Sequence, residues 1–122
     1  MENFLEKYSD TDNCPVRNVV ARFGNKWSLL ILLILSDIEV VRFSDFIKVM
    51  PDISSKVLSK ELKVLEADGL IDRKAYAVIP PKVEYTLTKR GKSLIPLIVP
   101  VVEWAKDNMK PIRNSRNDYK PR

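Results

Sequence analysis

The sequence predicts a mainly α-helical domain with a small β-hairpin, and three features support this fold class. First, leucines recur at spacings of four and three residues within residues 54–68, which places them on one face of a helix. They are Leu58, Leu62 and Leu65. Second, Gly69 ends that helix, because a left-handed cap residue is least costly without a Cβ atom. Third, two extended segments, residues 70–78 and 83–87, flank a stiff proline pair.

A second face of the same helix is basic, and it leads into a basic hairpin. Lysines repeat there at helical spacing, with serines beside them. The polar residues of this face are Ser54, Ser55, Lys56, Ser59, Lys60 and Lys63. A helix with one apolar and one basic face, followed directly by a basic hairpin, is the plan of a winged helix-turn-helix.

The segments before this unit predict two core helices. Pro15 suits the first position of a helix that would stop at Gly24. Its inner face would carry Val16, Val19, Val20 and Phe23. Asn25 can cap the next helix, which starts at Lys26 and ends at about Ser36. This second helix is apolar nearly all round, so we expect it to lie buried at the centre.

A short helix and a tight turn come next. Residues 40–43 are a short β-prone run, and Ser44 opens a helix. Pro51 ends that helix, because the residue before a proline is pushed out of helical space. Only Asp52 and Ile53 separate it from the basic helix, which either Ser54 or Ser55 can cap. A short helix, a short turn and a second helix form the helix-turn-helix pattern.

The two ends of the chain are expected to form a dimer interface. Three apolar residues near the N-terminus fit either a short helix or arm packed on a partner, or a frayed terminus. They are Phe4, Leu5 and Tyr8. A last helix, capped by Thr88, carries an apolar band that serves either a dimer interface or packing onto the first helix. The band includes Leu97, Val101 and Trp104.

Prolines and composition divide the chain further. Pro96 and Pro100 fall inside the last helix, and each removes a backbone hydrogen bond, so a kink or a restart near Pro96 is expected. The predicted parts are an N-terminal arm (1–13), a winged helix-turn-helix (14–91), a C-terminal dimerisation helix (92–109) and a disordered basic tail (110–122).

The net charge of +5 is localised. Residues 54–92 carry nine basic and five acidic groups, and residues 105–122 carry six and two. A basic face is the footprint expected of a nucleic-acid binder, although proteins that bind no nucleic acid also carry such faces.

Composition argues against an enzyme and against a membrane protein. The chain has no histidine, and its three glycines fit helix punctuation better than a phosphate-binding loop, so no metal or cofactor is expected. Its single cysteine, Cys14, cannot form an internal disulfide, which fits the cytoplasm. The start of the chain does not have the pattern of a signal peptide. The longest apolar run, Leu29 to Leu35, is far shorter than the roughly 20 residues that cross a bilayer.

Several short segments occur in an order that is specific when they are taken together. They are Cys14-Pro15-Val16, Gly24-Asn25-Lys26-Trp27, Arg42-Phe43-Ser44-Asp45-Phe46, Ile53-Ser54-Ser55-Lys56-Val57-Leu58-Ser59, Leu65-Glu66-Ala67-Asp68-Gly69-Leu70-Ile71-Asp72-Arg73 and Pro80-Pro81-Lys82-Val83-Glu84-Tyr85-Thr86-Leu87-Thr88, with Leu62, Gly91, Leu94, Pro96 and Glu103-Trp104. Over residues 14–108 the chain thereby resembles the HxlR-type transcriptional regulators, a MarR-like winged-helix family. Two departures are Asn25, where a second glycine is expected, and the added Pro100.

The resemblance implies a bacterial homodimer that binds a roughly palindromic site on double-stranded DNA. Residues 54–68 would be the recognition helix in the major groove, with its serines and Lys56 and Lys60 nearest the bases and Lys63 nearer a phosphate. In the wing, other polar residues would contact phosphates or the minor groove. They are Arg42, Arg73, Lys74, Tyr76 and Lys82. The alternatives are a solvated polar face and a winged helix that serves only as a protein-interaction scaffold.

The resemblance also assigns Cys14 to a position that some members use as a thiol sensor for an oxidant or a small electrophile. Arg17 supplies a nearby cation in the same helical turn, which favours a reactive thiol. The alternative is an inert, buried cysteine that acts as a small hydrophobic residue.

Overall fold

The computed structural model describes residues 2–121, with side chains from Glu6 onwards. The described chain is mostly helical with a small antiparallel sheet, which confirms the predicted fold class. Its helices are α1 (Glu2–Ser9), α2 (Ala21–Phe23), α3 (Lys26–Asp37), α4 (Phe43–Val49), α5 (Ser55–Ala67) and α6 (Lys89–Asp118). Its strands are β1 (Val41–Arg42), β2 (Ile71–Tyr76) and β3 (Lys82–Leu87).

The sheet has the order β1-β3-β2, and both strand pairs are antiparallel. β2 and β3 form the predicted hairpin, in which Ile71 lies opposite Leu87. The β-prone run before α4 becomes β1 and pairs with β3, so that Val41 lies opposite Tyr85. Because α4 follows β1 directly, this third strand links the hairpin to the helix-turn-helix by backbone hydrogen bonds.

Four helices, α3 to α6, and the sheet meet in one apolar core. α3 contributes Ile31 and Leu32, which are fully buried. α4 contributes Phe46, whose ring meets that of Tyr85 edge-on with 5.9 Å between the centroids. The leucine face of α5 packs against these residues, as its periodicity predicts. Its buried members are Leu58, Leu62 and Leu65.

Most helix boundaries follow the predicted caps. The side chains of Asn25, Ser54 and Thr88 each accept a hydrogen bond from a backbone N–H three residues later, at 3.0 to 3.1 Å. These bonds satisfy free donors in the first turns of α3, α5 and α6. Gly69 has a φ of 73°, the left-handed conformation expected after α5. α4 begins one residue earlier than predicted, at Phe43.

The segment before α3 differs from the prediction. Val16–Val20 winds as a π-helix that continues into α2. A π-helix closes its hydrogen bonds over five residues instead of four, so the faces expected from a period of 3.6 are shifted. Of the predicted inner face, Phe23 packs against the core. The prediction is wrong for three residues, Val16, Val19 and Val20, which are 51%, 57% and 43% exposed.

α6 is one helix of 30 residues, which excludes the restart but not the kink near Pro96 and corrects the expectation of a disordered tail. It does not restart at Pro96 but contains this proline and two others. Ile98 is buried, and its packing holds the helix to the core on the far side of Pro96. The predicted disordered tail, residues 110–122, is helical as far as Asp118, since adding residues to a formed helix avoids the cost of nucleation.

In the described part of the chain, no single helix has the length and hydropathy needed to cross a membrane. Val16–Phe23 and Lys26–Asp37 reach that length and composition only together, with a bend of 65° between them. Part of the second segment lies in the core, where its buried apolar residues are Ile31, Leu32 and Leu35.

Gly91, expected to punctuate a helix, instead lies inside the first turn of α6 against Leu70. A Cβ atom built on Gly91 would lie 2.1 Å from the Leu70 carbonyl oxygen. That oxygen also accepts the Thr88 N–H at 3.1 Å, which restricts its movement. We predict that Gly91→Ala lowers the free energy of unfolding by about 1 to 3 kcal/mol, because the close contact forces a backbone shift. Chemical denaturation measures the loss.

The matched control is Lys92→Ala, one residue along the same turn. Lys92 is exposed, so this substitution should change the free energy of unfolding by no more than about 0.5 kcal/mol. Alanine has the higher helix propensity, so without a steric cost Gly91→Ala would be more stable than the wild type, and that result would contradict the steric explanation.

Candidate nucleic-acid interface

The outward face of α5 carries the predicted serines and lysines, which we call the recognition stripe. Its N-cap serine and its lysines are exposed, while Ser59 is half-buried. The stripe consists of Ser54, Ser55, Lys56, Ser59, Lys60 and Lys63. None of these lysines forms an ion pair with another described residue. Their charges are therefore available to an anion outside the protein.

Polar contacts fix the direction of α5 in addition to its leucines. The hydroxyl of the buried Ser28 donates to the Glu61 carboxylate at 3.0 Å and accepts from the Asn25 side-chain amide at 3.1 Å. Because Glu61 stands on α5, this network ties the helix to the start of α3. At the end of α5, Arg22 Nε lies 2.6 Å from a carboxylate oxygen of Asp68. The helix that carries the recognition stripe is therefore anchored at its middle, through Glu61, and at its end, through Asp68.

The sheet register gathers most of the predicted wing residues on one surface. Glu84 of β3 lies opposite Arg42 of β1 and opposite Lys74 of β2. Residues directly opposite each other in antiparallel strands share a face of the sheet, so the carboxylate stands between two cations. Two residues along β3, Lys82 lies opposite Tyr76 on the same face. We call these five residues the outer wing face.

Glu84 is the centre of the contacts on the outer wing face. Its carboxylate oxygen lies 3.6 Å from Lys82 Nζ. The Tyr76 ring is approached by two ammonium groups, with its centroid 4.6 Å from Lys82 Nζ and 4.9 Å from Lys74 Nζ. A hydrogen bond from the Tyr76 side chain, and then the charges of Lys82 and Arg42, hold the pKa of Glu84 below its ordinary value of 4.5. Glu84 is therefore an anion at neutral pH.

Arg73 lies on the other face of the hairpin, because successive residues of a strand alternate. It stands opposite the buried Tyr85 in the register. Together with Ser59, Lys63 and Glu66 it lines a cleft of about 410 Å³ between the wing and α5. The structure therefore brings Arg73 to the recognition stripe, and the predicted wing residues are divided between two surfaces.

Two carboxylates of these surfaces were not singled out from the sequence. Glu66 enters the cleft between α5 and the wing, and Glu84 stands among the wing cations. Alternation along β3 groups Glu84 with Lys82, but its neighbours on β1 and β2 follow only from the register. No group of three or more His, Cys, Asp or Glu residues in the described chain is arranged to hold a metal ion.

Cys14 is buried, with 2% of its surface exposed, and its thiol is free. Arg17, the cation expected beside it, instead donates from Nε to the Tyr8 carbonyl oxygen at 2.8 Å. Arg17 therefore joins the segment after Cys14 to the end of α1. In this conformation the thiol is closed to solvent.

The apolar band of α6 is largely uncovered in the single chain. The exposed fractions are 69% for Leu97, 63% for Val101 and 61% for Trp104. α6 and Val19 border a cleft of about 440 Å³, but packing onto the first helix does not bury the band. At the N-terminus Tyr8 is 42% exposed, while the side chains of Phe4 and Leu5 lie outside the described residues.

Comparison with known proteins identifies relatives over most of the chain. The family model described as HxlR-like helix-turn-helix matches residues 22–113. An HTH-type transcriptional regulator of Halalkalibacterium halodurans is 35% identical over 108 residues, which are 88% of this chain and 96% of the relative.

Solved structures agree with the sequence match. The transcriptional regulator ytfH from Salmonella typhimurium is 35% identical with a TM-score of 0.78, and the match covers 87% of this chain and 94% of that one. The redox regulator HypR in its reduced form is 34% identical with a TM-score of 0.75, covering 82% and 98%. These matches confirm the resemblance that the segments indicated.

Proposed function

The chain belongs to the HxlR-like helix-turn-helix family and is a transcriptional regulator of the helix-turn-helix type; from this premise we propose that two copies together bind a palindromic site on duplex DNA. The observation that carries the proposal is the recognition stripe, whose lysines lack carboxylate partners among the described residues. In this proposal the regulator acts in the bacterial cytoplasm and catalyses no reaction.

The proposed contacts follow from the positions of the side chains. α5 enters the major groove, where Ser55, Lys56 and Ser59 reach base edges and Lys63 reaches a phosphate. The N-terminus of α5 adds a further favourable site for a phosphate. Arg73 contributes from the cleft beside α5, and the cations of the outer wing face approach the neighbouring backbone.

A dimer follows from the uncovered apolar surface of α6. Exposed apolar patches of this kind mark association sites, since their burial removes hydrocarbon from water. Pairing of two α6 bands, with α1 beside them, would set two recognition helices about one helical turn, roughly 34 Å, apart. An effector would act by changing the balance between dimer states with different spacings.

We predict that Lys60→Ala weakens binding to the operator at least about fivefold at 0.15 M salt, because a side chain close to the base edges is lost. The slope of log K against log salt should change little, because Lys63 and the wing cations keep their phosphate contacts. The operator is first selected from a random duplex pool, and fluorescence anisotropy then measures affinity over a salt series.

The matched control is Lys106→Ala, which removes an exposed lysine of α6 outside the proposed DNA interface. It should leave both the affinity and the slope near the wild-type values. Wild-type affinity for Lys60→Ala would refute the assignment of α5. A pool with no enriched inverted repeat would instead favour the protein-interaction scaffold.

We predict that Val101→Asp converts the dimer to a monomer, because a carboxylate in an apolar interface loses its hydration. Sedimentation velocity measures the mass. Val78→Asp is the matched control, since Val78 is also exposed, at 50%, but lies in the hairpin loop. If the wild type is a monomer, or if Val101→Asp is still a dimer, α6 does not form the dimer interface.

The proposal includes Cys14 as a thiol switch, and the likeness to the redox regulator HypR supports it. Because Cys14 is 2% exposed, a reagent reaches it only when the surrounding segment opens. We predict that a quinone modifies Cys14 more slowly in the folded protein than in the unfolded protein. Arg17→Ala should speed the reaction, since it removes the link to Tyr8.

Intact-protein mass spectrometry follows the quinone adduct, and Cys14→Ala provides the blank for reaction elsewhere. A folded protein that stays unmodified in both the wild-type and Arg17→Ala forms would exclude Cys14 as a sensor.

A further inference from the structure

The cations of the proposed interface fall into two classes. The lysines of the recognition stripe have no carboxylate partner among the described residues. On the outer wing face, by contrast, one cation has a carboxylate partner: Lys82 Nζ lies 3.6 Å from Glu84, and Arg42 and Lys74 stand opposite the same carboxylate in the register without forming an ion pair with it. The two surfaces therefore respond differently to an approaching phosphate.

We propose that Glu84 is a specificity-determining residue, which holds the wing cations back from DNA phosphates until α5 is seated on its own sequence. The inference rests on the proposed function and deepens it. Glu84 contacts no base in this scheme. It acts on the protein side of the interface, as an internal anion that competes with the phosphates for the same cations.

The competition is effective because the central pair is partly withdrawn from water. The side chains of Glu84 and Lys82 are only 20% and 32% exposed, so their attraction is screened less than that of an open surface pair. On non-specific DNA no phosphate is held close to Lys82, so a phosphate has to draw the lysine away from Glu84. On the specific site a docked α5 holds a phosphate at a fixed position, so the phosphate competes with Glu84 for Lys82 more effectively.

Tyr76 adds to the order of the outer wing face. Its ring centroid lies 4.6 Å from Lys82 Nζ and 4.9 Å from Lys74 Nζ, so the aromatic ring attracts two ammonium groups beside the carboxylate. The outer wing face is therefore an ordered array with its own counter-charge, in contrast to a set of solvated lysines.

The test is Glu84→Gln in the full-length protein. Glutamine keeps the shape and one carbonyl oxygen but removes the charge. Affinity is measured over a salt series for the selected operator and for a random-sequence duplex of equal length. We expect the random duplex to bind about fivefold more tightly at 0.15 M salt, with a slope steeper by about 0.9, as for one added phosphate contact. Operator affinity should change less, so the ratio of operator to random affinity falls.

Two further variants separate the role of this carboxylate from general charge. Glu103→Gln makes the same change in net charge at an exposed position on α6 and should leave the ratio unchanged. Glu84→Asp keeps the charge and should preserve most of the wild-type ratio. Thermal unfolding at neutral pH confirms that each variant is folded before its affinities are compared.

Three results would overturn the inference. An unchanged ratio in Glu84→Gln would show that the carboxylate does not compete with phosphates. Equal losses of operator and random affinity would make Glu84 a structural residue only. An equal fall in Glu103→Gln would reduce the effect to net charge. The proposed function fails separately, if the wild type binds operator and random DNA equally and Lys60→Ala binds DNA as tightly as the wild type. A wild type that prefers the operator, with an unchanged ratio in Glu84→Gln, would overturn only the inference about Glu84.

Discussion

One helix, α5, has to remove three leucines from water on one side while it keeps three lysines in water on the other. Burial of each leucine contributes about 1.5 to 3 kcal/mol, and a half-turn rotation of the helix would lose that contribution and bury unpaired charges. The leucines rest on Ile31, Leu32 and Phe46, so the direction of the recognition stripe is set by the core. The Ser28–Glu61 and Arg22–Asp68 contacts add polar links along the same helix.

The wing depends on the same core through Tyr85. This residue is buried on the inner face of β3 and meets Phe46 ring to ring, which fixes the register of the sheet. A slip of one residue would turn every side chain of the strand to the other face. Glu84 would then point into the core, Lys82 would lose its carboxylate partner, and Arg42 and Lys74 would no longer face that carboxylate. The electrostatics of the wing thus follow from the packing of one aromatic pair.

Local chemistry explains which parts of this arrangement could be predicted from the sequence. Caps such as Ser54 and Thr88, the left-handed Gly69 and the leucine face of α5 need only neighbours along the chain. The exposed valines before α3 were missed because a π-helical turn changes the period on which the prediction relied. The division of the wing into two surfaces was missed because it needs the pairing of β1, β2 and β3. One of the residues beside Glu84, Arg42, lies more than forty positions away along the chain, so no local pattern reveals it.

The length of α6 has a mechanical consequence. A helix of 30 residues is about 45 Å long, and only its first third touches the core. Its last 20 residues, about 30 Å, therefore project beyond Ile98, where α6 leaves the core. Tilting this free arm by about 5° moves its end by about 3 Å. In a dimer joined through the two α6 helices, small changes in the angle between α6 and the core would shift the two recognition helices relative to each other by several ångströms.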